Sequence, residues 1–296
     1  MSPVMGILAM NDIKIASYWE ESDNNTIKCG LCPHYCKIAE NQTGKCGVRI
    51  NQNGVLIASG YGCVTSVALD PIEKKPLYMF KPGKKIVSIG SYGCNFNCRF
   101  CQNYQISKEY DAVETKRLTP EIITETAILA KMDENIGIAY TYNEPIIGYE
   151  FIYDCSLMIR EAGLANVLVT NGYINEEPLS KLLPNIDALN IDIKGYSDRT
   201  YNMVGGTLEP VKNAIKMANV VCHVEVTTLL IPDENENDVE EIAKWLSTID
   251  PDIPYHLSRF FPRHKYSNKK QTSQEAMYTA FNTAKKHLNN VFLGNM

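Results

Sequence analysis

The stretch "IVSIGSYGCNFNCRFCQN" (residues 86–103) decides how the rest of the chain is read. It opens as a short apolar run, IVSIG (86–90), with the length and residue types of a buried strand. It then breaks into a glycine-bearing polar loop that carries Cys94, Cys98 and Cys101 within eight positions. Cys-x-x-x-Cys-x-x-Cys on one tight loop can place three sulfurs around one [4Fe–4S] cube, leaving the fourth iron without a protein ligand. A metal with an open position binds a small molecule there. A zinc site completed by a ligand elsewhere is the alternative, as are three unrelated thiols.

Downstream the same texture repeats. Apolar runs at 136–142, 166–172, 188–194, 223–231 and 255–260, with a short one at 290–294, read as strands. Helical patterns at about 119–131, 147–162, 176–183, 208–218, 236–248 and 272–289 lie between them. Thr119-Pro120-Glu121 is a helix start, a capping residue followed by proline in the first turn. Alternating strand and helix implies parallel βαβ units with right-handed crossovers. Six or seven units suit an α/β fold of partial (β/α)6-type TIM barrel; a doubly wound sheet is the alternative that periodicity leaves open. The texture upstream is different. Residues 1–81 carry five of the ten cysteines and short strand-like pieces, and read as a small cysteine-rich N-terminal extension ahead of a barrel over 82–296.

Composition narrows the class. A net charge of −5 over 296 residues argues against a nucleic-acid footprint, which needs a basic face. The first residues, MSPVMGILAMNDIK, lack the basic start and long apolar run of a signal peptide, and no stretch reaches the roughly 20 apolar residues that span a bilayer. The expected setting is cytoplasmic and reducing, where clustered thiols bind metal or do redox chemistry.

In parallel α/β folds the chemistry collects at the C-terminal strand ends. Here those ends carry Asn143 and Glu144, then Asn171, then Asp192 and Lys194, then Glu225, Thr227 and Thr228, then His256, Ser258 and Arg259. All are expected to face one mouth with the three cysteines. "GCNFNCRFCQN" resembles the cluster loop of the radical S-adenosylmethionine (SAM) superfamily. The resemblance implies a [4Fe–4S] cluster on Cys94, Cys98 and Cys101, whose open iron takes the methionine end of SAM. It implies that an electron, from a donor of ferredoxin or flavodoxin type, cleaves SAM to a 5′-deoxyadenosyl radical that abstracts hydrogen from a substrate. By the same resemblance Phe100 sits against the adenine. "YNEP" (142–145) takes the place of a glycine-rich motif along the SAM amino group, with Asn143 in the motif and Glu144 its carboxylate. Asn171, Asp192 and Lys194 lie where the family binds the ribose and carboxylate, and His256 reaches the adenine side.

"CGLCPHYC…GKCGVR", "ALDPIEKKPLY", "NIDIKG", "TTLLIP" and "HLSRFFP" narrow the resemblance to the radical SAM enzymes of the AmmeMemoRadiSam system, relatives of pyruvate formate-lyase activating enzymes. That implies an unidentified substrate, protein or peptide among the choices, or activation of a glycyl-radical enzyme. An iron–sulfur or zinc scaffold, or an electron carrier without chemistry of its own, is the reading from another class. Cys29, Cys32, Cys36 and Cys46 supply four thiolates in a loop-rich unit, which suits structural zinc or a second iron–sulfur cluster. Cys155 and Cys222 read as packing residues, and Glu73, Lys74 and Lys75 as a solvated charged turn.

Overall fold

The computed structural model describes residues 13–23 and 25–296; the first twelve residues, on which the reading of the chain's start rests, lie outside them. The N-terminal part is a set of short antiparallel pieces. β1 (Trp19–Ser22), β2 (Thr26–Cys29) and β3 (Lys37–Ile38) form one small sheet, and β4 (Arg49–Gln52) pairs β5 (Val55–Ala58). Asn53 and Gly54 close that hairpin with φ of 53° and 77°, the left-handed pair that an Asn-Gly turn supplies. β6 (Cys63–Val64) pairs the later β9 (Lys116–Arg117).

β7 (Ser66–Pro71) then lies antiparallel against β8 (Lys85–Gly90), the strand of the opening stretch. The expected boundary at 81/82 therefore falls between two neighbouring strands of one sheet. Lys81 and Gly83 take left-handed φ of 47° and 78°, so KPGKK returns the chain onto the sheet and is not a linker.

From β8 the order is α1 (Tyr104–Ser107), β9, α2 (Pro120–Leu129), β10 (Asn135–Thr141), α3 (Tyr149–Glu161), β11 (Ala165–Thr170) and α4 (Glu176–Leu182). β12 (Ala188–Asp192), α5 (Asp198–Val204), α6 (Leu208–Val221), β13 (His223–Leu230), α7 (Val239–Ile249), β14 (Tyr255–Arg259), α8 (Gln274–Ala284) and β15 (Val291–Gly294) complete it. The sheet runs β15-β14-β13-β12-β11-β10-β8-β7, parallel from β8 to β15. Sequential order without reversal is that of a barrel and rules out the doubly wound sheet. β7 and β15 do not pair with each other, so the barrel is partial and open on one flank. The helices bury one stripe each: α6 presents Leu208, Val211, Ala214, Ile215 and Ala218 to the sheet at helical spacing. Among the described residues no helix is long and apolar enough to cross a membrane.

The strand starts are closed by the loop after β7. Glu225, fully buried on β13, accepts the backbone N–H groups of Tyr78 (2.9 Å) and Met79 (2.8 Å) and meets Nε2 of His223 (2.9 Å) and His256 (2.5 Å). Burial alone would push this carboxyl up, but those four hydrogen bonds outweigh it and hold the pKa at about 2. Glu225 thus contributes stability above the ordinary glutamate range that is lost as pH falls through about 2. Glu225→Gln is expected to cost about 2–3 kcal/mol at pH 7 by urea unfolding. The difference from wild type should shrink between pH 4.5 and 2; an unchanged midpoint would contradict the assignment.

Candidate functional site

β8 delivers the chain into the cysteine loop, and the loop is held at both ends. Gly93 N–H donates to Ile106 O (2.8 Å), and Asn97 N–H to Val204 O (2.8 Å) at the end of α5. Lys108 Nζ donates to Cys94 O (2.6 Å), and Asn103 Nδ2 to Tyr142 O (2.7 Å). Cys94, Cys98 and Cys101 border a cavity of about 620 Å3 inside the strand ends, in the range of small-molecule sites. Phe100, Asn143, Glu144, Asn171, Asp192, Lys194 and His256 border the same cavity.

The chain's own contacts give these residues different jobs. Asn143 accepts from Ser91 N–H (3.0 Å) through Oδ1 and donates through Nδ2 to Tyr92 O and Gly93 O (both 3.1 Å). Its amide is a clamp on the lead-in to the cysteine loop. Glu144 is buried and accepts from Thr170 Oγ1 (2.7 Å), Asn171 N–H (2.7 Å) and Ile146 N–H (3.1 Å). Burial raises its pKa to about 7 against the pull of those donors and of Lys194. Asn171 donates to Asn95 Oδ1 (2.8 Å) and lies 4.0 Å from Cys94 Sγ, so the third strand end touches the loop directly. Asp192 pairs Lys194 at 2.6 Å. Burial works against the Lys194 charge, and Asp192 and Cys98 beside it more than offset that, leaving its pKa raised. Phe100 is buried, with its ring 6.1 Å from that of Tyr266. His256 sits deeper, near the start of β14, between Glu225, Tyr78 and Phe292.

Not every strand residue reaches the mouth. Glu225 serves the closed end, Thr228 Oγ1 donates to Ile193 O (2.9 Å), and Arg259 Nε to Thr272 O (2.7 Å); none of the three borders the cavity. Conversely, Lys75 is not the solvated residue expected. Its side chain is 2% exposed, borders the cavity, pairs Asp70 at 2.8 Å and lies 4.6 Å from the Tyr142 ring centre. The tight turn Ile72–Lys74 sends Lys74 outward and Lys75 inward, which the run "EKK" does not signal. Tyr142 donates to the same Asp70 oxygen at 2.6 Å. Its φ of 73° is the left-handed conformation a glycine adopts freely, at the place where the resembled motif has glycine.

The donor set fits the cluster that the spacing implies. Three thiols lie on one loop, Phe96 N–H points at Cys94 Sγ (3.4 Å), and the remaining side opens onto Asn171, Asp192 and Lys194. Burial pushes the Cys98 thiol up to about 12 and Cys94 well above its usual value, so both give up a proton to a metal rather than to water near pH 7. Among the described residues no three His, Cys, Asp or Glu side chains close on a point as ligands of a single ion; these thiols border a wider space.

Residues 88–246 match the Radical SAM superfamily. The chain belongs to this superfamily. Its members use a [4Fe–4S] cluster and SAM, and it is an enzyme of radical chemistry. An uncharacterized protein of Methanocaldococcus jannaschii is 44% identical over 287 residues, covering 95% of this chain and 85% of that one. Another protein of that organism, named a putative glycyl-radical enzyme activating enzyme, is 26% identical over 213 residues, 69% of this chain and 79% of its own. QueE from Escherichia coli superposes with a TM-score of 0.50 at 13% identity, over 79% of this chain and 94% of QueE. Streptococcus suis SuiB bound to its precursor peptide SuiA gives 0.54 at 12% identity, over 69% and 47%. At those identities the two structures speak to the fold.

Asn143→Ala leaves one N–H and two carbonyls of the loop lead-in without their partner. It is expected to lower the stability of the cluster-free chain by about 2–3 kcal/mol in urea and to reduce iron retained after reconstitution. A change below about 0.5 kcal/mol with full iron would show that the clamp is not needed.

Proposed function

We propose that this enzyme holds its cluster on Cys94, Cys98 and Cys101 and binds SAM with its amino group beside Glu144. Asn171, Asp192 and Lys194 take the ribose and carboxylate, and Phe100 the adenine. The hydrogen donor is a protein or peptide segment that enters the open flank of the barrel, and the electron comes from a ferredoxin- or flavodoxin-type partner. The observation that carries this reading is the shared cavity: the cluster-loop thiols and the polar strand ends border one space. Glu73–Lys74, just after β7, and Gly294–Asn295, at the end of β15, border the same space. When bound, the cluster and SAM supply a one-electron cleavage whose 5′-deoxyadenosyl radical removes a hydrogen atom from the substrate.

The chain's own residues do the remaining work. Glu144, ionised, pairs with an ammonium in a buried place where a charge-assisted hydrogen bond is strong. The Asp192–Lys194 pair offers a carboxylate to ribose hydroxyls and a cation to the methionine carboxylate. Loop and strand ends, locked by Asn95, Asn143 and Asn171, keep the reacting atoms in place and limit water. At the flank, β7 leaves Val67 and Leu69 exposed and its outer edge unpaired among the described residues, a surface suited to a polypeptide. A second reading, activation of a glycyl-radical enzyme, is favoured by the name of the 26% identical relative. It differs only in which polypeptide enters.

Anaerobically reconstituted protein with dithionite and SAM is expected to form 5′-deoxyadenosine, and Cys98→Ala to form none. A wild-type protein with a full cluster and no cleavage would overturn the proposal. SAM affinity should also follow the ionisation of Glu144. With its pKa near 7, the dissociation constant should rise up to tenfold per pH unit below that value and level off above it. Glu144→Gln should bind more weakly and flatten the curve; a wild-type curve that is flat from pH 6 to 8 would remove Glu144 from the ammonium site.

A further inference from the structure

The four N-terminal cysteines do not border the cluster-loop cavity, yet they are drawn together. Cys29 ends β2, Cys32 and Cys36 lie on the turn into β3, and Cys46 lies in the turn before β4. Cys29 N–H donates to Cys36 O (3.0 Å), and Gly44 N–H to Arg49 O (2.8 Å), which fixes both turns. All four border one small cavity.

Arg49 supplies a separate observation. It borders the same cavity and is 1% exposed. Its Nη atoms reach Glu150 (3.2 Å) and Ser17 O, while its Nε–H is buried without a hydrogen-bond partner among the described residues. A buried donor left unpaired costs about 1–3 kcal/mol, and negative sulfur in the cavity beside it would offset that cost.

Size favours a single ion over a cluster. The cavity holds about 10 Å3, room for one water-sized body, against about 620 Å3 beside the cluster loop. An eight-atom iron–sulfur cube calls for a larger rearrangement of this space than a single ion does. We propose that Cys29, Cys32, Cys36 and Cys46 bind a single zinc ion as four thiolates, with the Arg49 Nε–H as their outer partner. The sulfurs border the space without converging on a point, so tetrahedral binding requires the four side chains to turn inward as the thiol protons leave. The ion staples the unit that backs the cluster loop. His34 Nε2 meets Asn95 O at 2.8 Å, and a side chain on Gly93 would strike Cys46 O at 2.5 Å.

Elemental and sulfide analysis of the reconstituted full chain tests this directly. The expected content is one zinc, four iron and four sulfide per chain. The variant lacking Cys94, Cys98 and Cys101 should keep the zinc and lose the iron and sulfide, whether or not SAM is ever cleaved. About eight iron without zinc in the wild type, or iron and sulfide persisting in the triple variant, would overturn the proposal, as would a chain without zinc. Arg49→Met should release zinc to a chromogenic chelator 10–100-fold more readily than wild type. Unchanged release would remove Arg49 from the site.

Discussion

Three thiolates on one loop leave the fourth corner of a cluster unprotected, so everything else must hold that loop still over the strand ends. The chain does this with amides. Asn143 grips residues 91–93, and Asn171 bonds Asn95, which in turn donates to Tyr173 O at 2.9 Å. Glu144 lies beneath and accepts from the third strand end. Asn95, Asn171 and Glu144 are buried, Asn143 is half-buried, and all are mutually satisfied, a condition under which a polar network is rigid rather than costly. The open side of the loop then has one fixed direction, into the barrel.

Much of this was legible in residues 86–103 and the runs that follow. Parallel strands buried on both faces are written as unbroken apolar segments, and all seven fell within a residue or two of the expected places. The polar caps that end them marked the cavity. Other features hide from a linear reading. The helix α5 is too short to stand out in the apolar pattern, although Ser197, which caps it, and Gly205, which ends it with a φ of 81°, are its signals. β7 reads as part of the extension because its partner lies across a turn that resembles a linker. Glu225 looked like a strand-end residue, but β13 begins only two residues before it, so it serves the closed end. The burial of Lys75 depends on which way a single tight turn faces.

Tyr142 shows how a departure from a motif is accommodated. The backbone keeps the left-handed turn, and the ring that replaces glycine is held by Asp70 and Lys75. Strain of this kind, about 1 kcal/mol, persists where the surroundings over-determine it. The two ends of the barrel are thus both anchored by carboxylates, Glu225 for closure and Glu144 for the mouth. Their environments set them apart: Glu225 is surrounded by donors and held ionised near a pKa of 2, and Glu144 is left near 7.

The central claim is that the cluster on Cys94, Cys98 and Cys101 keeps one iron for SAM. Electron–nuclear double resonance on the reduced cluster, with SAM labelled by 15N in its amino group and 17O in its carboxylate, measures that contact. Strong hyperfine coupling to both labels is expected, and it should vanish with unlabelled SAM. A fully reduced cluster that binds SAM but shows no coupling to either label would mean that the fourth iron is occupied by something else, and would contradict the account.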